Sequence, residues 1–385
     1  MSQIDKLIAD LCPDGVEFKR ISDVSSKGSK IKWGQVGNAE YQYIDLGAVE
    51  PRTRQIGKTQ TINSCNAPSR AQQIVHSGDI IFATTRPTQL RWALIPDSYD
   101  GQVVSTGYCV IRPDRSSIIT NYLAHTLGTT TFLKYLKANQ ILGNYPSIPD
   151  SRIQEFRIPV PPLEVQREIV RVLDKFTQLE AELEAELEAR HRQYEHYRAI
   201  LLSFGNKIEW TTLGNIATIG TGSHDTKNAV PDGEYVFYAR GREPLRLDSF
   251  DFDENAIITA GDGVGVGKVF HFATGKYALH QRAYRIAPHK GVDARYVYHY
   301  LVSDFSNYLK QTSVHASVTS LRRPMFIKYP IPLPPLEEQR RIVSVLDKFD
   351  SLVNDLSIGL PAELAARRKQ YEYYRDRLLT FEEKR

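Results

Sequence analysis

The chain repeats itself, and the repeat decides what it can fold into. The block IPVPPLEVQREIVRVLDKF at residues 158–176 returns at 331–349 as IPLPPLEEQRRIVSVLDKF, identical at fifteen of nineteen positions with an offset of 173. Downstream, RQYEHYRAILLSF (192–204) matches KQYEYYRDRLLTF (369–381) at eight of thirteen positions, now offset by 177. The second copy therefore carries four extra residues between its two blocks. The segments opening each half, VEFKRISDV (16–24) and IEWTTLGNI (208–216), share one pattern. At 385 residues the chain exceeds an ordinary single domain. It reads as a tandem duplication, with globular segments at 1–157 and 205–330 and helical segments at 158–204 and 331–385.

The helical segments follow from spacing. Pro161-Pro162 and Pro334-Pro335 suit a helix entry and stop the extended chain before them. Beyond them Ile169, Leu173, Phe176, Leu179 (or Leu183), Leu187, Tyr194, Tyr197, Leu201 and Phe204 recur mostly at steps of three and four, one apolar stripe along a helix. The stretch LEAELEAELEAR at 179–190 is built from good helix formers. A helix over 163–204 would run about 63 Å, and a stripe that long needs a cover. The matching stripe is in the second copy, so an intramolecular two-helix coiled coil is the simplest solution. Gly359 and Pro361, near the four extra residues, predict a break there and a fresh helix from about 361 to 381.

The globular segments read as mixed and β-rich, an α+β class. Short strands are expected at 41–46, 80–84 and 103–111, then at 235–238, 256–258, 266–272 and 283–286. Each segment ends in an amphipathic helix, over 120–138 and 293–311. Charge follows this division. Residues 1–157 hold eighteen Lys and Arg against fourteen Asp and Glu, and residues 205–330 hold fifteen against twelve. The helical segments hold six against nine and ten against ten. Positive excess on the globular units alone is compatible with nucleic-acid binding through them.

Other classes fall away on composition and motif. No apolar run approaches the ~18 residues of a membrane helix, so no membrane partner is expected. The opening MSQIDKLIAD carries Asp5, Lys6 and Asp10 rather than a signal core. Three scattered cysteines (Cys12, Cys65, Cys109) argue against a disulfide scaffold or zinc ribbon and suit the cytoplasm. GDGVGVGK at 261–268 lacks the register and the Ser or Thr of a phosphate loop, and GxGxxG fails in every frame, so it reads as a glycine-rich turn between strands. His191 and the Glu195-His196 pair match no zinc-hydrolase spacing, no GxSxG elbow is present, and no Asn- or Asp-Pro-Pro-aromatic loop of a methyltransferase occurs. No catalytic or metal-ligating residues are expected.

The duplicated pattern IP(V/L)PPLExQRxIVxVLDKF followed by xQYExYRxxLLxF, each time after a globular unit of this size, closely resembles the specificity subunits of type I restriction–modification systems. The opening CPDGVEFKRISDV (12–24) looks like that family's start. The EAEL repeats marked by Leu179, Leu183 and Leu187 are similar to the tandem tetrapeptide between halves in one branch of it. The resemblance implies a non-catalytic, sequence-specific DNA-binding subunit. Two target-recognition domains would each read one half of an asymmetric, interrupted site in double-stranded DNA. The paired helices would hold them apart and dock two methyltransferase subunits, which bind S-adenosylmethionine and methylate adenine. Motor-nuclease restriction subunits, using ATP and magnesium, would complete the complex. This chain itself would carry no cofactor. Two repeats paired antiparallel about a pseudo-two-fold axis would match the approximate symmetry of a duplex.

Residue type then suggests the readers, since Arg and Lys suit guanine's major-groove edge while Gln and Asn suit adenine. In the first domain these are Lys30, Lys32, Arg52, Arg54, Arg86, Gln89 and Arg91, with Trp33 and Trp92 close by. In the second they are Arg240, Arg242, Arg246, Lys268, His280, Gln281 and Arg282. Matching loops ahead of each helical block add Asn144, Tyr145 and Ser147, and Ser317, Thr319, Ser320, Arg322 and Arg323. Tyr194, Tyr197, Tyr371, Tyr373 and Tyr374 exceed what a two-helix coiled coil can bury and suit a docking face for the methyltransferase. A DNA-free coiled-coil adaptor explains the helices but not the positive globular units. A stand-alone nucleic-acid enzyme is disfavoured by the failed motifs.

Overall fold

The computed structural model describes residues 3–205, 208–263, 265–312 and 320–384. The chain forms two units, one from residues 1–183 with 364–385 and one from residues 184–363.

Both units close on the same device. In the first, strand Glu17–Arg20 pairs antiparallel with Arg157–Val160, and in the second Trp210–Thr212 pairs with Pro330–Pro332. Each ribbon brings the start of a domain beside its end. The strands end at Val160 and Pro332, and the pairs Pro161-Pro162 and Pro334-Pro335 lead the chain into a helix, where proline's fixed φ suits the entry.

Each unit also holds two larger sheets. In the first unit a four-stranded antiparallel sheet runs in the order Ser25–Lys27, Tyr108–Pro113, Ile80–Ala83, Trp92–Leu94. In the second the order is Ala217–Thr221, Ala283–Pro288, Ala256–Ala260, Phe270–Ala273. The companion sheets have five and four strands, and each contains one parallel pair, Tyr41–Ile44 with Val103–Ser105 and Tyr235–Tyr238 with Lys276–Leu279. The buried run Ile80-Ile81-Phe82-Ala83 shows why the strand lies centrally. Side chains alternate across a strand. Ile80 and Phe82 join the helical core with Tyr122, Leu123 and Phe132, while Ile81 and Ala83 join Val75, Val104 and Tyr108. Ile257 and its neighbours Ala256 and Ile258 divide in the same way.

The helices follow the expected plan with local corrections. The central helix is Leu163–Leu201 and its counterpart breaks into Leu336–Asn354 and Leu360–Leu378. At the break the Asp355 carboxylate accepts from the Ser357 and Ile358 amides at 2.7 and 3.2 Å. A Cβ at Gly359 would lie 2.5 Å from the Ser351 carbonyl oxygen, so the tight turn needs glycine. The single helix expected over 120–138 is two, Thr120–Thr126 and Thr130–Asn139, because Gly128 interrupts it and Thr129 caps the second by accepting from the Phe132 amide. Its counterpart, Ala294–Thr312, is continuous. The strand expected over 103–111 is also two, in different sheets, with Gly107 turning the chain between them. The strand expected from 266 begins only at Phe270.

The repeated residues anchor each helix to its own domain. Gln166 is fully buried. Its side-chain oxygen accepts from the Ile119 amide at 2.8 Å, and its nitrogen donates to the carbonyls of Pro161 and Ser117. Gln339 does the same with the Asp293 amide and the Pro334 carbonyl. Tyr122 donates its hydroxyl proton to the Pro159 carbonyl, and Tyr296 donates to Pro332. His125 meets Asp174 at 2.8 Å and His299 meets Asp347 at 2.6 Å. A carboxylate only accepts, so each imidazole carries its proton on Nε2. Within the first unit Phe176 stacks on Tyr374 at 5.3 Å and Arg368 pairs with Glu180 at 2.6 Å. Partner numbers fall as the central helix rises, so those two helix segments run antiparallel.

Candidate nucleic-acid interface

In the first unit two loops expected to face DNA are joined. The 84–91 loop follows strand Ile80–Ala83, and the 141–147 loop precedes the helical block. Thr85 bridges Ser147, the Arg86 amide donates to the Pro146 carbonyl at 2.6 Å, and the Ile148 amide donates to Thr84 at 2.9 Å. The Arg86 guanidinium lies over the Tyr145 ring at 5.3 Å. Arg86, Gln89, Asn144 and Tyr145 are exposed on this pair of loops, and Ser147 is half-buried beneath them. Backbone strain gathers in the same place. Among the described residues Arg54, Arg86 and Leu90 are the three non-glycines with left-handed φ, at 61°, 51° and 49°. Such conformations cost on the order of 1 kcal/mol or more each and persist where the surroundings impose them.

Other expected readers brace this region instead of projecting from it. Arg91 donates to the Leu46 carbonyl at 2.5 Å. Arg54 is half-buried, donates to the Leu90 carbonyl and lies over Trp92 at 5.0 Å, and burial lowers its pKa from the usual value. Trp33 is turned inward, its indole N–H donating to the Ala71 carbonyl and its ring edge-on to Tyr41. Lys30 and Lys32 are exposed where edge strand Ser29–Lys30 ends. Arg52 is exposed on a turn closed by the Val49–Ile56 bridge.

The second unit repeats the paired loops with other side chains. The 261–269 loop follows strand Ala256–Ala260, Asp262 bridges Ser320, and the Leu321 amide donates to Gly261 at 2.7 Å. Asp262 takes Arg240 on one oxygen at 2.8 Å and Arg282 on the other at 3.3 Å. The Arg240 guanidinium, with Arg282 behind it, holds the Asp262 carboxyl below the usual carboxylate range. Lys268, Ser320, Arg322 and Arg323 are exposed on or just beyond the two loops. Gln281 donates to Asp225, and Arg246 to the Glu234 carbonyl; Arg242 is exposed on the loop before strand Leu245–Leu247. His280 departs from expectation. It is buried, with its Nδ1 accepting from the Arg282 amide, and burial followed by the Arg240 charge lowers its pKa. Ser317 and Thr319 lie outside the described residues.

The tyrosines divide. Tyr194 is buried, stacked on Phe349 with Arg198 over its ring. Tyr371 is half-buried, bonded to His125 and covered by Arg375. Both are drawn into their own units, which leaves Tyr197, Tyr373 and Tyr374 exposed. Among the described residues no group of three or more His, Cys, Asp or Glu could hold a metal ion, and no helix is long and apolar enough to cross a membrane. Sequence reasoning missed Asp262 and Thr85, which bridge the loops. Their signal was position, two residues past the end of a buried strand in each copy.

Comparison with known proteins gives this architecture a family. The family model described as type I restriction modification DNA specificity domain matches twice, at residues 13–189 and 207–366. The specificity subunit of the type I restriction enzymes EcoR124I and EcoR124II of Escherichia coli is 34% identical over 306 residues, covering 70% of this chain and 72% of that subunit. A solved chain from work on complex assembly and conformational transition of the type I R-M system superposes with a TM-score of 0.64 at 24% identity, over 96% of this chain and 98% of that one. The type I restriction–modification S subunit of M. genitalium gives 0.62 at 13%, over 95% and 96%. The two-fold match, spanning both halves in order, places this chain in the type I restriction–modification DNA specificity family.

Proposed function

We propose that this chain chooses the DNA sequence on which a type I restriction–modification complex acts, reading an asymmetric, interrupted site in double-stranded DNA. In this reading residues 1–157 and 205–330 are two target-recognition domains, and residues 158–204 and 331–385 are helical spacers that pair antiparallel as a coiled coil with pseudo-two-fold symmetry. The exposed Tyr197, Tyr373 and Tyr374 belong to the docking face for two methyltransferase subunits. Those subunits carry S-adenosylmethionine, and motor-nuclease subunits carry ATP and magnesium. The chain supplies sequence choice and scaffold in the cytoplasm and makes no bond itself.

One observation carries this reading. The same bridged pair of loops occurs once per unit, Thr85 to Ser147 and Asp262 to Ser320; the first displays Arg86, Gln89, Asn144 and Tyr145, while the second displays Lys268 and, through Asp262, gathers the exposed Arg240 and Arg282 from neighbouring strand ends. One frame with two sets of readers is what two unlike half-sites require, since phosphate contacts position a protein and base contacts specify sequence. An adenine-methylation map of the host genome with and without the gene tests it. Loss of one interrupted, asymmetric motif is the expected result; persistence of every motif, with the methyltransferase expressed, counts against it.

A further inference from the structure

The glycine-rich loop at 261–269, which fails as a phosphate loop, holds something else. Gly261 and Gly265 lie hard against the backbone of two arginines. A Cβ at Gly261 would sit 2.6 Å from the Arg282 carbonyl oxygen, and one at Gly265 would sit 2.8 Å from that of Arg240. The Gly261 amide also donates to the Arg282 carbonyl at 2.9 Å. The loop's glycines thus bring two separate strand ends to Asp262, which holds each guanidinium by a single Nη1.

Resting on the DNA-reading role above, we propose that Arg240 and Arg282 form a guanine-reading pair for the half-site of the second unit, with Asp262 as the positioning residue that sets them. A guanidinium has five N–H donors in a planar fork, and one bond to Asp262 leaves Nε and Nη2 of each arginine for a two-point contact. Guanine's N7 and O6 are the pair of acceptors that such a fork fits. The side chains of Arg240 and Arg282 are 41% and 63% exposed, against 26% for Asp262, so the cations reach out and the carboxylate stays behind them. Charge separates a base edge from a phosphate. A carboxylate beside the arginines repels a phosphate but not the neutral edge of a base. It also relieves the repulsion between two guanidiniums brought side by side. The corresponding bridge position in the first unit is Thr85, which has no carboxylate, so the pair belongs to one half-site only.

The test uses the full chain assembled with its methyltransferase subunits, mapped for adenine methylation and titrated with duplexes in which each base pair of the motif is replaced. Arg240→Lys and Arg282→Lys keep the charge and lose the fork. Each is expected to reduce discrimination at one G·C pair by roughly 5- to 150-fold, both pairs falling in the same half-site and the other half-site remaining unchanged. Asp262→Asn is expected to relax both of those pairs together, with no change in the salt slope. Because both lysine variants sit on exposed side chains, they read the guanine assignment even where Asp262→Asn disturbs the loop. Relaxation at a position without guanine overturns the proposal. So does unchanged discrimination at every base pair in both lysine variants, because a lysine keeps the charge of a phosphate contact and the salt slope with it. Relaxation in Asp262→Asn at a position neither lysine variant touches makes Asp262 a cytosine reader instead. A wild-type complex with no interrupted motif overturns the specificity reading itself, and the pair with it.

Discussion

At the scale of single residues, whether a side chain with base-reading chemistry can meet a base depends on the partners its neighbours offer it. Arg86 and Gln89 are exposed on the bridged loops of the first unit, and Arg240 and Arg282 are exposed on strand ends held by Asp262 in the second. Nothing in the identity of His280, Trp33 or Tyr194 says that a turn, a carbonyl or a phenylalanine ring will take them inward. Gln166 and Gln339 show the converse. Their identity between copies was plain in the repeat, but its reason is a buried amide that completes backbone groups at the helix entry. Replacing Gln166 by leucine fills the space and leaves the Ile119 amide and the Pro161 carbonyl without partners. Each such orphan costs about 1–3 kcal/mol, so Gln166→Leu should lower unfolding stability by about 2–6 kcal/mol. Gln339→Leu should match it. Urea unfolding of the two variants and the wild type measures both, and an unchanged midpoint for either means that the amide is dispensable.

At the scale of elements, period and punctuation placed the long helices and the buried strands. They failed where one residue divides an element. A glycine decides whether the chain continues or turns, and Gly107 and Gly128 each split what apolar pattern alone joined. The docking of helix on helix depends on polar contacts between segments far apart in sequence, which no periodicity reports. Asp174, on the central helix, meets His125 and Asn121 of the Thr120–Thr126 helix. Burial pushes its pKa up, but hydrogen bonds from His125 and Asn121 outweigh this and hold it below the usual value. A carboxyl whose folded pKa is depressed contributes stability above its unfolded pKa, about 3.9, and loses it as pH falls through the folded value. Thermal midpoints measured from pH 7 down to pH 3 should therefore fall more steeply below about pH 4 in the wild type than in Asp174→Asn. Parallel curves would mean that the pair does not steady the helices.

At the scale of the whole chain, the duplication was fully written in the sequence, but the membership of the units was not. The last spacer divides between Glu363 and Leu364, close to the break, its final helix joining the first unit through Tyr374 on Phe176 and Arg368 on Glu180. The other division falls between Leu183 and Glu184, inside the EAEL repeats, where the helix continues unbroken. An insertion there touches neither core, so it should alter spacing without altering reading. One further EAEL copy adds about 6 Å and a net rotation of about 40°. A base pair of duplex accounts for about 3.4 Å and, at about 10.5 per turn, about 34°. Length alone would allow nearly two base pairs, but two would demand close to 70° of rotation. The angle is the stiffer constraint, because a recognition loop turned away from its groove meets no base at all, whereas a few ångströms can be taken up by bending of the duplex. The expected methylation map of the insertion variant has both half-sites unchanged and a spacer longer by one base pair. An unchanged spacer would show that the helix does not set the distance, and altered half-sites would show that the domains do not read independently of it.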